Sequence, residues 1–402
     1  MEIKNKLICG DNLNELAKFP LNSIDLIYLD PPFFSHKQYE VVWGDEAEVR
    51  SFEDRWEGGV ERYIDWMIER VRLMYDVLKP TGSLYLHCDW HANAHLRIML
   101  DKIFGEINFR NEIIWCYRGA GYPKKDFGRR HDTIYRYSKT STYTFNLNDI
   151  REEYAKATQE RFKHYIGNIR KGRDFGTQSL HPLGKQPDDW WQIQPIAPSA
   201  KERLGYPTQK PESLLERIIR ASSNRGDIVL DPFCGCGTAT VVAHKLGRQW
   251  IGIDISPTAI KVIEQRLRLI KVEKNIDYII IGSPTTIKDL KELKPLEFQN
   301  WVINEMQAKH RRKDKGLDGY ISQDLYKENA GIQVKQSENV GRDKIDYFRS
   351  ALQREKYQKG YIVGFSFSKG ATNEVARLKN AGEILIRLIK VADLLEKKIR
   401  LD

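Results

Sequence analysis

Val229-Leu230-Asp231-Pro232-Phe233-Cys234-Gly235-Cys236-Gly237-Thr238 is the stretch on which the fold turns. Its apolar start has strand character, two glycines follow, and Thr238 to Lys245 has helical character. Glycines at such a junction let the backbone turn tightly and let a ligand come close to it. A second strand, Gln249 to Ile253, leads into Asp254, where nucleotide-binding α/β sheets hold ribose hydroxyls. A nicotinamide fingerprint would need a further glycine at position 240, which is Thr240, so a dehydrogenase is disfavoured.

Working outward, Leu7 to Asp11 reads as a strand and Asn12 to Phe19 as a helix. Ser23 to Leu29 is an apolar run of strand length that stops at Asp30-Pro31-Pro32-Phe33, because proline cannot donate to a ladder. Asp30 therefore stands at a carboxyl end, the edge at which open α/β sheets bind ligands. A helix over Tyr63 to Leu78, a turn at Pro80-Thr81-Gly82 and a strand over Ser83 to His87 follow. A helix from His91 to Ile103 and a strand from Glu112 to Tyr117 continue the pattern. Residues 138–205 break it with polar, Tyr-rich and Pro/Gly-punctuated sequence that contains Trp190-Trp191, and this reads as a functional insert. Order returns with a helix from Pro211 to Ser222, the strand Asp227 to Leu230, and a helix from Pro257 to Lys271. The alternation predicts an α/β fold with a mainly parallel sheet covered by helices.

A chain of 402 residues exceeds what one core usually organises, so two domains are expected. With 41% hydrophobic residues and no apolar run near about 18 residues, no membrane span is expected. The start, Met-Glu-Ile-Lys-Asn-Lys, has no signal-peptide pattern, and a cytoplasmic protein follows. The five cysteines are odd in number and mostly far apart, as in reduced proteins, and Cys234 and Cys236 are too close for a Cys-x-x-Cys zinc pair. A formal charge of +10 suits a polyanionic partner, although charge alone does not decide for one.

Together these stretches resemble the S-adenosylmethionine-dependent DNA amino-methyltransferases. Asp231 to Thr238 resembles their motif I, Asp254 their motif II acid, Asp30-Pro31-Pro32-Phe33 their motif IV, and Tyr206-Pro207-Thr208-Gln209-Lys210-Pro211 their motif X. The catalytic motif precedes the cofactor motifs, which is the order of the β group. The resemblance implies a Rossmann-like methyltransferase domain over 1–284, with 138–205 as its target-recognition region. It implies S-adenosyl-L-methionine held by Lys210, Asp231, Phe233, Gly235, Gly237, Thr238 and Asp254, and double-stranded DNA as substrate. It leaves room for a homodimer and for a separate restriction subunit.

In this resemblance Asp30 and the Pro31 carbonyl accept the N–H bonds of a base amino group, Pro32 stiffens the loop, and Phe33 stacks on a flipped base. The target is adenine N6 or cytosine N4, with the initial Asp favouring adenine. Cytosine C5 chemistry needs a cysteine nucleophile, generally after proline, and no cysteine here follows one. Arg129-Arg130-His131-Asp132 is either part of the base pocket, a phosphate contact or a solvated basic turn. The Trp190-Trp191 pair either stacks on nucleic acid or packs in a core.

Beyond a connector at 285–296, residues 297–402 carry a second α/β pattern. A helix over Phe298 to Met306 precedes a strand into Ile321 and another over Gly331 to Lys335. Period-2 alternation places Gln333 and Lys335 on one face, opposite Ile332 and Val334, with Asp318 on the neighbouring strand. Asp318, Gln333 and Lys335, with the strand Tyr361 to Phe367 and the helix near Ala371, resemble the Mrr-like branch of the PD-(D/E)xK restriction endonucleases. That resemblance implies Mg²⁺ on Asp318, and either a DNA-cleaving domain or an inactive DNA-binding one.

Overall fold

The structure, a computed structural model, describes residues 5–34, 38–41, 50–53, 59–119, 121, 123–163, 167–177, 179–200, 202–204, 208–284, 286–293, 295–306, 308–310, 316–321 and 329–396. The first half of the chain runs β1 (Asn5–Cys9), α1 (Asn12–Leu16), β2 (Ile24–Leu29), β3 (Gln38–Val41), β4 (Arg50–Glu53), α2 (Gly59–Val77), β5 (Leu78–Cys88), α3 (Asn93–Phe104), β6 (Phe109–Cys116) and β7 (His131–Ser138). It continues through α4 (Lys156–Arg161), β8 (Gly167–Arg170), β9 (Arg173–Thr177), β10 (Trp190–Gln192), α5 (Glu212–Ser222), β11 (Ile228–Asp231), α6 (Thr238–Lys245), β12 (Gln249–Asp254), α7 (Pro257–Leu269) and β13 (Tyr278–Ile281).

A nine-stranded sheet in the order β10-β6-β7-β5-β2-β11-β12-β1-β13 organises this part. All its pairings are parallel except those of β7, which runs against both β5 and β6. Strand side chains alternate between faces. Ile27 and Leu29 of β2 accordingly enter a core with Met67, Val71 and Leu96 of α2 and α3, while Leu26 and Tyr28 enter another with Leu215, Ile218 and Ile263 of α5 and α7. Helices thus cover both faces, and the expected α/β class holds. The expected turn at Pro80-Thr81-Gly82 is instead a bulge inside β5, because Ile24 faces Leu78 while Leu26 already faces Ser83. The irregular stretch 138–205 contains β10, which adds an edge strand beside β6.

The remaining elements are α8 (Ile287–Glu292), α9 (Pro295–Glu305), β14 (Lys309–His310), β15 (Gly319–Ile321), β16 (Ala330–Val334), α10 (Arg342–Arg354), β17 (Lys359–Gly364), α11 (Lys369–Asn380), β18 (Leu385–Lys390) and α12 (Val391–Leu395). They build a five-stranded sheet, β14-β15-β16-β17-β18, antiparallel through β16 and parallel beyond it. The connector expected at 285–296 is ordered differently. Thr286 caps α8 in a reciprocal capping box with Asp289, and the fully buried Leu290 packs with Phe298, Trp301 and Val302 of α9. This stretch is therefore part of the second core. The two halves meet where Lys261 of α7 pairs with Glu305 of α9 and lies 5.8 Å from the Trp301 ring centre.

Leu290→Ala is expected to lower the stability of the C-terminal half by about 2–5 kcal/mol through the cavity it leaves. Calorimetric unfolding should show the transition of that half moving down while that of the N-terminal half stays in place.

Candidate active site

The carboxyl ends of β1, β2, β5, β11 and β12 all open on one edge of the large sheet, as parallel strands must. Because β7 is antiparallel, its amino end joins them and brings Asp132 to the same place. A cleft of about 1140 Å³ lies there, lined by Gly10, Asp30, Phe33, Lys210, Phe233 and Asp254 among others. Single-ligand pockets are about 300–1,000 Å³, so this cleft has room for two molecules side by side.

Asp30 sits directly after β2, and its Oδ2 is engaged in an ion pair by Lys210 Nζ. Its Oδ1 is buried and has no hydrogen-bond partner among the described residues. Phe33 lies beside it, 5.4 Å from Lys210 Nζ and 5.8 Å from the His87 ring. His87 is completely buried and joins three chain segments. The Tyr28 hydroxyl lies 3.0 Å from its Nδ1, Asp132 Oδ2 lies 3.3 Å from its Nε2, and Asp30 Oδ1 lies 3.8 Å from Nδ1. Burial, with the nearby carboxylates, pushes the Tyr28 hydroxyl well up, so it stays protonated and donates to Nδ1. That leaves the Nε2–H of His87 to donate to Asp132, which also accepts the Tyr117 hydroxyl at 3.1 Å. Burial opposes ionisation of Asp132, but the hydrogen bond from His87, then the Lys210 charge and the Tyr117 hydrogen bond, hold its carboxyl below the usual range.

The neighbouring part of the cleft is built on the turn between β11 and α6. Asp254 Oδ2 accepts the Gly235 N–H at 2.8 Å, and its Oδ1 accepts that of Ser256 at 2.8 Å, so the carboxylate is aimed by two backbone donors. Ile255 beside it is 59% exposed and offers an apolar platform. Gly237 has φ +74° and a Cβ there would come within 2.6 Å of Ile263, so only glycine lets α6 start against α7. Asn12 ties β1 to this turn by donating to the Pro232 carbonyl at 2.7 Å, and Arg70 holds Asn12 and Asp11 through hydrogen bonds of 2.8 Å and 2.9 Å.

Of the residues expected at the cofactor, Lys210, Phe233, Gly235 and Asp254 line the cleft. Asp231, Gly237 and Thr238 lie behind it. Asp231 is 4% exposed and accepts the Phe233 N–H at 3.1 Å, and burial pushes its carboxyl well up, helped by Asp30 and Asp254. Thr238 meets Arg266 Nη1 at 3.3 Å, so both shape the turn from inside. Tyr206 and Pro207 lie outside the described residues, while Thr208 and Gln209 line the cleft. Arg129, Arg130, His131 and Asp132 line it too, with Arg129 and His131 exposed to solvent. Trp191 is buried core with its Nε1–H on the Asp188 carbonyl, and Trp190 is exposed on the edge strand. His87, Tyr28, Arg70 and Tyr117 were missed, although His87 in an otherwise apolar strand was a readable signal.

In the C-terminal half, Asp318 approaches β16 as expected, its Oδ2 accepting the Val334 N–H at 2.6 Å. The face shared by Gln333 and Lys335 is not open at Gln333, which is 2% exposed. Its Nε2 donates to the Gly316 carbonyl at 3.1 Å, and its Oε1 is buried without a partner. Among the described residues no three His, Cys, Asp or Glu side chains cluster as a metal site, and all five cysteines are free. No helix among them is long and apolar enough to cross a membrane.

Residues 24–265 match the N6/N4 DNA methylase family. The chain belongs to this family. Residues 290–397 match the Mrr-type restriction endonuclease family, which makes the C-terminal part a restriction-endonuclease-like domain. The type II methyltransferase M.BglII of Bacillus subtilis is 32% identical over 323 residues, 78% of this chain and 79% of that protein. The DNA adenine methyltransferase YhdJ of Escherichia coli K12 is 34% identical over 263 residues, 65% of this chain and 82% of that protein. Among solved structures, a DNA modification methylase of Thermus thermophilus in complex with S-adenosyl-L-methionine is 21% identical, with a TM-score of 0.44, over 70% of this chain and all of that one. By its family, this chain is a DNA methyltransferase.

Because the Asp132 carboxyl is depressed in the folded chain, its contribution to stability is complete above the unfolded value of about 3.9 and is lost as pH falls through the folded value. Asp132→Asn should therefore flatten the acid limb of stability below about pH 4 in denaturant titrations.

Proposed function

We propose that this chain methylates the N6 amino group of adenine in duplex DNA, acting on a base rotated out of the helix. The observation that carries this reading is the buried, unpartnered Oδ1 of Asp30, opening on a cleft with room for two ligands. A buried acceptor without a donor is costly, and an incoming amino group satisfies it. An exocyclic amine is a poor nucleophile because its lone pair is delocalised into the ring. With one N–H on Asp30 Oδ1 and the other on the Pro31 carbonyl, the nitrogen moves toward tetrahedral geometry and exposes that pair. Phe33 stacks on the base, and Lys210 fixes the far side of the carboxylate.

S-adenosyl-L-methionine would supply an electrophilic sulfonium methyl to the amino nitrogen, its C–S bond breaking as the N–CH₃ bond forms, and Asp30 would receive the surplus amine proton. Asp254 would hold its ribose, Ile255 and Phe233 would cover its purine, and Gly235 would let the backbone approach it. Adenine rather than cytosine is supported by the initial Asp30 and by the adenine specificity in the name of YhdJ. Work on DNA fits a cytoplasmic location.

For the C-terminal domain we carry the nuclease reading. Asp318 and the buried Gln333 Oε1 would offer a carboxylate and an amide oxygen to Mg²⁺, whose preference is for such oxygen ligands, and Lys335, which strand alternation puts on the Gln333 face, would orient a water.

Asp30→Ala is expected to abolish transfer of labelled methyl to DNA while calorimetric binding of S-adenosylmethionine persists; undiminished transfer would overturn the mechanism. Base-resolution mapping of modified positions in DNA from cells expressing the chain should find N6-methyladenine, and N4-methylcytosine would reverse the base assignment. Mg²⁺-dependent cleavage should disappear in Asp318→Ala and in Lys335→Ala. If the unsubstituted protein never cuts methylated or unmethylated DNA, the domain is a binding module.

A further inference from the structure

Pro123-Lys124-Lys125-Asp126-Phe127-Gly128-Arg129-Arg130 forms a loop at the mouth of the cleft, and its foot and tip are built differently. At the foot, the Arg129 guanidinium lies 4.2 Å from the Trp90 ring centre. Trp90 in turn stacks on His91 at 3.8 Å, and His91 Nδ1 meets Asp89 Oδ2 at 2.6 Å. Arg130 bonds the Gly121 carbonyl. These contacts pin the foot to the carboxyl end of β5. At the tip, Phe127 is 98% exposed, more than any other large hydrophobic side chain among the described residues, and no ring among them stacks on it.

A phenyl ring held out into water is unfavourable on its own, and the charges around it narrow what covers it. Lys124, Lys125, Arg129 and Arg130 flank it against the single acid Asp126, so the loop presents an apolar tip inside a basic collar. Stacked bases between phosphates have the complementary layout. A reaction on a base amino group also needs such a tip. The base has to leave the stack to reach Asp30, and the gap it leaves is closed in other systems by an apolar side chain pushed between base steps. Trp90 does not serve, since it is engaged by Arg129 and His91, and Trp190 does not line the cleft.

We propose that Phe127 is the wedge that enters the DNA stack and holds open the space vacated by the target base, with Lys124 and Lys125 on the adjoining phosphates. This rests on the transfer reaction proposed above and adds the element that delivers the base to it.

The test uses the full chain and duplexes carrying its mapped recognition site, with the target base either normally paired or facing an abasic position, where rotation is easy. Phe127→Ala should lose about tenfold or more in methylation of the paired duplex and recover to within about threefold of the unsubstituted chain on the abasic one. With 2-aminopurine in place of the target base, the fluorescence rise on binding should also vanish in Phe127→Ala and survive in Phe127→Trp. Full activity of Phe127→Ala on the paired duplex overturns the wedge. So does an equal loss on both duplexes, whether or not S-adenosylmethionine binding survives, because that marks a lid or a general contact. Inactivity of the unsubstituted chain on both duplexes overturns the transfer reaction and the wedge with it. Failure of the wedge alone leaves that chain's transfer intact.

Discussion

Parallel pairing of β2 with β11, Leu26 opposite Val229 and Ile27 opposite Leu230, is the contact on which the site depends. It sets a strand from the start of the chain against one more than two hundred residues later, and so places the turn carrying Asp30 beside the turn carrying Gly235. Asp25 fastens the junction from below. Its Oδ2 accepts the Ile228 N–H at 2.9 Å, and Lys79 of β5 meets both its oxygens at 2.7 Å and 2.8 Å, so one side chain links three strands. A slip of one residue would turn every side chain of β2 to the other face. The apolar layers above and below resist that slip.

The same geometry concentrates acid. Asp11, Asp30, Asp231 and Asp254 follow from strands that end on a common edge, and Asp132 joins them only because β7 is reversed. The fold offsets this crowding by specific means. Arg70 takes Asp11, Lys210 takes Asp30, His87 takes Asp132, and backbone N–H groups take Asp254. Asp231 has no ion pair among the described residues, accepts the Phe233 N–H, and is pushed toward its neutral form by burial.

Much of this was legible in the chain because it is local. A proline pair ends a strand, two glycines open a turn, and an acid after an apolar run marks the next strand end. What stayed hidden depends on long-range pairing. Lys210 reads as one residue of a Thr-Gln-Lys-Pro string, and its partnership with Asp30 spans 180 positions. The reversal of β7, and with it the role of Asp132, has no local signature. Alternation puts Gln333 and Lys335 on one face but says nothing of burial, and Gln333 is buried. The connector was a misreading of a readable signal, since Thr286 and Asp289 stand at capping-box spacing ahead of Leu290.

The loop with Phe127 and the turn with Asp30 line one cleft, the loop mainly basic and the floor carrying Asp30, Asp132 and Asp254. A nucleotide is itself divided in that sense, with an anionic phosphate and an uncharged base. The basic rim favours the phosphate and the acidic floor repels it, whereas the base meets no such barrier. Under the proposed transfer, the cleft sorts within a single nucleotide, keeping the backbone outside and admitting the ring, and it orients its guest before any hydrogen bond to the base has formed.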